Sequence, residues 1–251
     1  MASRNTAALV LVATLFFSCG AIASTDFDFF YYVLSWPGSA CRAREEGCCL
    51  PTTGEPELDF FVEGLYPANS SGEILTKCND TKFLVNAVAN FIGDMYSYMP
   101  NLTCPSNNGV SSWKRLWSLY GVCSGLNETE YFRRSLLLRS TINLLPRLKR
   151  LGFGPRDNET YNTGFLQAAI NDAVGNTTRV ACNTKVGGGR QLSQIWMCVD
   201  KDVGELIKCP VYPTFACPDE ILFETFTADM MNSTELSFNP IEMPTSISDA
   251  E

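Results

Sequence analysis

Leu58-Asp59-Phe60-Phe61-Val62-Glu63-Gly64-Leu65 is the stretch on which the fold reading turns. It is an apolar run rich in aromatic and branched side chains that continues into Tyr66-Pro67. Such a run reads as a central β-strand. Toward the N-terminus, Phe27 to Trp36 has the same character and stops at Pro37-Gly38, which predicts a strand followed by a turn. Toward the C-terminus the period changes. Phe83, Leu84, Ala87, Val88, Phe91, Ile92 and Met95 recur at helical spacing between Thr81 and Met99. Asn79 or Asp80 is placed to cap that helix, and Pro100 ends it.

A second helix is expected from Glu128 or Thr129 to about Ser140, and a short one leading to Gly152 with Lys149 and Arg150 in its last turn. A third, near Thr163 to Val174, stops at Gly175. Gln191 to Asp200 reads as a strand with Ile195, Met197 and Val199 on one face, and Glu205 to Cys209 as a shorter one. Strands and helices do not alternate regularly, so the class is α+β: a mainly antiparallel sheet with helices packed on it.

Composition narrows the setting. Residues 1–23 read as a signal peptide: Arg4, the apolar run Ala7 to Phe17, then the cleavage site Ala21-Ile22-Ala23. No later segment approaches about 18 unbroken apolar residues, so no transmembrane segment is predicted. Residues 24–226 are expected to form one domain. Residues 227–251, acidic and without cysteine, read as a disordered tail. Removing Cys19 with the signal leaves ten cysteines of eleven, which implies five disulfides and an oxidising compartment. No Cys-x-x-Cys pair and no histidine is present, so neither a metal nor any other cofactor is expected. Seven sequons, at Asn69, Asn79, Asn101, Asn127, Asn158, Asn176 and Asn232, point to an exported glycoprotein, extracellular or vacuolar. The mature chain carries 18 cations against 27 carboxylates, a net −9, which removes any overall bias toward nucleic acid.

The chain resembles the ribonuclease T2 family, in particular the plant S-like ribonucleases, from about Asp26 to Phe226. The resemblance rests on Asp26-Phe27-Asp28-Phe29-Phe30, Trp36-Pro37-Gly38-Ser39-x-Cys41, Gly47-Cys48-Cys49-Leu50-Pro51-Thr52-Thr53-Gly54, Gly64-Leu65-Tyr66-Pro67 and the block Trp113 to Cys123. Sequence alone does not choose among the possible cysteine pairings. The resemblance implies Cys41–Cys48, Cys49–Cys104, Cys78–Cys123, Cys182–Cys217 and Cys198–Cys209.

It also implies an endoribonuclease site, cutting RNA through a 2′,3′-cyclic phosphate. Active members place one histidine in His-Gly-Leu-Trp-Pro and another in Lys-His-Gly-Thr-Cys; a third histidine, a glutamate and a lysine hold the phosphate. At the matching positions this chain has Glu63 and Tyr120 for the two proton-transfer histidines, and Arg115, Leu116 and Leu119 for the other three. Imidazole is the one side chain that ordinarily titrates between about pH 6 and 7, and a general acid or base is worth about 10²- to 10⁴-fold in rate. None of the five catalytic positions is intact. Among base-binding candidates, Tyr66 offers a stacking ring and Ser106, Asn107 and Asn108 offer polar groups. Trp113 completes the set, while Leu34 replaces a glutamine usual in the family.

Two function readings follow. The favoured one is a catalytically inactive secreted homologue with a storage, stress or defence role, binding RNA or nucleotides weakly if at all. The other is an altered ribonuclease with Glu63 as base, Tyr120 as acid and Arg115 as phosphate clamp. Gly187-Gly188-Gly189 reads as a hairpin or flexible loop. Arg133, Arg134, Arg139, Arg147, Lys149 and Arg150 read as solvated helix faces.

Overall fold

The computed structural model describes residues 26–232, so the predicted signal peptide lies outside the described residues. The chain opens with β1 (Phe29–Ser35), α1 (Pro37–Arg42), β2 (Cys48–Cys49) and β3 (Phe61–Ala68). A 3-10 segment, Val85–Phe91, runs into α2 (Ile92–Tyr98), followed by α3 (Val110–Leu119), α4 (Glu128–Ile142) and α5 (Leu144–Arg150). Then come β4 (Thr160–Asn162), α6 (Thr163–Val174), β5 (Arg179–Thr184) and β6 (Arg190–Val199). β7 (Leu206–Ile207), β8 (Glu220–Leu222) and β9 (Met231–Asn232) complete the described chain.

The main sheet has the order β3-β1-β6-β8-β4, with β5 and β7 also pairing to β6. Every pairing in it is antiparallel except β6 with β8, which meet in parallel at Gln191 and Leu222. The α+β expectation holds. The placement of the Leu58 to Leu65 stretch does not: β3 is an edge strand, and β1 and β6 occupy the centre. Its apolar run reflects burial on both faces. Phe61, Val62 and Leu65 join the core under the helices, while Tyr66 and Ala68 join a smaller cluster on the opposite face.

Side-chain alternation along β1 and β6 builds these two layers. Phe30, Tyr32, Leu34, Ile195, Met197 and Val199 face the helices and meet Tyr131, Phe132, Leu148 and Ile170. Phe29, Tyr31, Val33 and Cys198 face the other way, where Trp196 and Tyr120 pack on them. Buried phenols need acceptors, and they find them: Tyr32 Oη donates to the Ser135 carbonyl at 2.8 Å and Tyr131 Oη to that of Leu65 at 2.7 Å.

The five disulfides are Cys41–Cys48, Cys49–Cys104, Cys78–Cys123, Cys182–Cys217 and Cys198–Cys209, the pairing that the resemblance implies. The cap chemistry of α4 and α6 is local. Asn127 Oδ1 accepts from Glu130 N at 2.9 Å, Asn162 Oδ1 from Phe165 N at 3.2 Å, and α6 ends at Gly175. Gly187 to Gly189 form the turn of the β5–β6 hairpin, with Lys185 N donating to the Gly189 carbonyl at 3.0 Å.

Three further expectations change. The single helix over Thr81 to Met99 is a 3-10 segment followed by a short α-helix. Asn79 Oδ1 accepts from Thr81 N in a local turn, and Leu84 N donates to Glu128, so the first residues stay extended. Arg139 is not solvated. It is 8% exposed, lies 2.6 Å from Asp59 and 3.8 Å from the Tyr98 ring centroid, whereas Arg133 and Arg134 pair with Glu130 at the surface. The third concerns the tail. Residues 227–232 are part of the domain: β9 pairs in parallel with β2, matching Met231 to Cys48 and Asn232 to Cys49, and Met231 is buried. Residues 233–251 lie outside the described residues.

Candidate functional site

Glu63 owes its position to a β-bulge. In the β1–β3 ladder Val33 pairs with Gly64 and Leu34 with Val62, so Glu63 is the extra residue with no partner across the strands. A bulge breaks the inside-outside alternation and re-aims one side chain. The carboxylate is exposed although its neighbours on both sides are buried. Gly64 is needed for the next step: a Cβ there would lie 2.3 Å from Tyr66 Cε1, so only glycine lets the Tyr66 ring fold back over the strand.

The second block forms α3 and the turn after it. Trp113 and Trp117, four residues apart, point into the core, which leaves Ser112, Arg115, Leu116 and Leu119 along another face. The helix stops at Tyr120, and Gly121 follows because a Cβ at that position would meet the Trp117 ring at 2.2 Å.

β3 and α3 together enclose a cleft of about 280 Å³ lined by Glu63, Tyr66, Ser112, Arg115, Leu116, Leu119 and Tyr120. All five positions matched to the family's catalytic set are gathered here, with Tyr66 beside them. The ring of Tyr120 rests on that of Tyr66, centroids 4.5 Å apart. The Tyr66 phenol is pushed well above its ordinary pKa, first by burial and then by the Glu63 carboxylate, so it remains protonated. No ion pair joins Glu63 to Arg115 among the described residues. The cleft offers one guanidinium for a phosphate, one carboxylate that repels it, and two leucines where the resemblance implies a carboxylate and a cation. At about 4 Å the repulsion is on the order of 4 kcal/mol at an effective dielectric of 20.

A neighbouring cleft of about 260 Å³ shares Glu63, Ser112 and Leu116 and adds Arg44, Asn101 and Thr103. Trp113 lines it only as a wall: it is 1% exposed, and its Nε1 donates to the Met99 carbonyl at 2.8 Å. It presents no face for a base. Ser106, Asn107 and Asn108 line neither cleft. Asn107 is occupied in its own loop, accepting from Gly109 N at 2.9 Å and donating to the Thr103 carbonyl at 3.0 Å. Asn108 Oδ1 accepts from Val110 N at the start of α3. Leu34 is buried under the helices. Arg44, Thr103 and Ser112 are polar lining residues that sequence reasoning missed. The spacing of Ser112, Arg115, Leu116 and Leu119 was the available signal for Ser112; nothing local marks Arg44. The seven sequon asparagines are all at least partly exposed.

Residues 27–209 match the ribonuclease T2 family. The chain is 36% identical over 232 residues to extracellular ribonuclease LE of Solanum lycopersicum, covering 90% of this chain and all of that one. It is 26% identical to a ribonuclease-like storage protein of Panax ginseng, over 80% of this chain and 84% of the other. Among solved structures, RNase NT in complex with 5′-AMP superposes with a TM-score of 0.77 at 37% identity, over 80% of this chain and 100% of that one. Fold, family match and relatives agree: the chain belongs to the ribonuclease T2 family.

Proposed function

We propose that the protein is a secreted T2-family homologue that does not cleave RNA and acts by accumulation or binding. The observation that carries the reading is the cleft between β3 and α3. It collects all five matched catalytic positions and contains no imidazole, while Leu116 and Leu119 occupy two of the polar positions. Losing both proton-transfer groups removes most of the rate even when their effects are strongly non-additive. Five disulfides and seven at least partly exposed sequons support passage through the secretory pathway, to an extracellular or vacuolar destination. The ginseng relative supports a storage role.

A second reading has one observation in its favour: Glu63, Arg115 and Tyr120 line the same cleft. It makes the protein an altered ribonuclease with Glu63 as base, Tyr120 as acid and Arg115 on the phosphate. Purified glycosylated protein incubated with a dinucleotide between about pH 4 and 8 separates the two. The expected result is no cyclic-phosphate product above a Glu63→Gln control. Turnover that this substitution abolishes establishes the second reading instead.

A further inference from the structure

A third cavity, about 460 Å³ against 280 Å³ for the candidate cleft, lies between the first turn of α6, the start of β5 and the loop 212–217. Its walls are Val180, Tyr212, Pro213 and Phe215, with Arg179 and Thr214 as polar lining; Thr163 and Gln167 also line it, their side chains bonded to the Pro218 carbonyl and to Thr178 and Val180. The aromatic side is fixed in place. Tyr212 Oη donates to Thr177 Oγ1 at 2.6 Å, and Phe215 packs on Trp196 with centroids 5.4 Å apart.

Two features give this space a preference for negative charge. Arg179 stands opposite Trp196 in the β5–β6 ladder with its guanidinium 5.3 Å from the Tyr212 ring centroid. Its exposed guanidinium forms no hydrogen bond or ion pair among the described residues, so its N–H fork is unspent. Thr163 and Gly164 are the first residues of α6, a helix of 12 residues, and bring the positive end of its dipole to the same cavity; Thr163 N and Phe165 N are bonded to the Asp219 carbonyl and Asn162 Oδ1, so this end contributes its field and not those two donors. No Asp or Glu lines it, in a chain whose formal net charge is −8.

We infer that this cavity is a binding site for a small aromatic carboxylate. The carboxylate takes the planar fork of Arg179 in the field of the α6 N-terminus, and the ring stacks against Tyr212 and Phe215. Arginine matches a carboxylate through two parallel N–H donors and keeps its flat face for an aromatic neighbour. The volume suits one small molecule, since ligand pockets begin near about 300 Å³. A polynucleotide would need a row of cations, and Arg179 is the single cation in the lining. The site stands apart from the β3–α3 cleft and is independent of whether that cleft cuts RNA.

Calorimetric titration of the full glycosylated protein with 4-hydroxycinnamate tests the inference. Saturable one-to-one binding is expected, with the uncharged amide of the same acid at least about tenfold weaker, as for loss of a charge-assisted hydrogen bond. Arg179→Gln should weaken the acid by a similar factor, whereas Arg133→Gln, an equal charge change on α4, should not. Thr214→Glu, which adds a carboxylate at an exposed position of the lining, should weaken it as well and serves if the Arg179 variant misfolds. Circular dichroism and a free-thiol assay verify each fold, because Cys217 in the lining is bonded to Cys182. No saturation up to about 10 mM overturns the inference. So does equal binding of acid and amide, or indifference to both lining variants.

Discussion

Tyr120 lies with its ring on Tyr66, centroids 4.5 Å apart, and Tyr66 in turn approaches Trp196 at 5.9 Å. The residue matched to the family's second proton-transfer histidine is therefore one end of an aromatic row that crosses the outer face of the sheet. Packing of this kind fixes a ring without asking anything of its hydroxyl. The backbone frame around it, the bulge at Glu63 and the Trp117–Gly121 contact, is intact.

If side chains alone silence the cleft, restoring them on that frame should restore chemistry. Glu63→His with Tyr120→His is expected to give measurable cyclic-phosphate formation from a dinucleotide. Either change alone should give little, because acid and base act as a unit. Adding Leu119→Lys should raise the rate further by placing a cation at the phosphate. A triple variant that keeps all five disulfides and yet neither binds nor cuts the dinucleotide shows that the cleft itself has been remodelled.

Acid should weaken one surface contact in a predictable direction. Asp157 accepts the Thr225 hydroxyl at 2.7 and 2.8 Å and the Thr225 N–H at 3.0 Å, with Arg42 nearby, and these hold its carboxyl below the usual range. A depressed folded-state pKa stabilises above the unfolded value near about 3.9 and is lost as pH falls through the folded value. The side chain is 51% exposed, so the effect is under about 1 kcal/mol. Asp157→Asn should lower the melting temperature by a small, constant amount above about pH 5, and the difference should shrink below about pH 4. A gap that widens toward acid contradicts this account.

The end of the domain is testable by length. A chain ending at Phe226 lacks Met231, which is 5% exposed, and the bond from Leu50 N to the Asn232 carbonyl at 3.1 Å. Compared with a chain ending at Asn232, it should lose about 2–5 kcal/mol, the cost of removing a buried methionine side chain. Equal melting temperatures for the two lengths would remove β9 from the stable fold.

Where a residue's own neighbours decide its structure, the sequence was a good guide. β6 shows its alternation in Ile195, Met197 and Val199, and α6 shows both ends, at Thr163 and Gly175. The five catalytic positions matched through the resemblance came together in one cleft. What escaped reading depends on remote partners. β4 and β8 are three residues each, too short to carry a period, and exist because they pair with one another. Arg139 looked like one more cation on a helix until Asp59 and Tyr98 closed over it. Trp113 shared the expected block with Arg115, but two residues of helical rotation send its ring into the core and the guanidinium to the cleft.

The order of the strands governs when this protein can fold during its synthesis. β1, made first, needs β6, and the Cys48–Cys49 strand needs β9, whose residues are the last of those described. A ribosome that has delivered β1 and β3 still lacks β6, the neighbour on the other side of β1, so an early hairpin waits with one edge open. Pairings this distant in sequence form slowly and leave that edge available to other chains meanwhile. The chain thus has a built-in order of assembly: the β1 edge closes only once Arg190–Val199 has been made, and the Cys48–Cys49 strand finds its partner only when Met231–Asn232 follows.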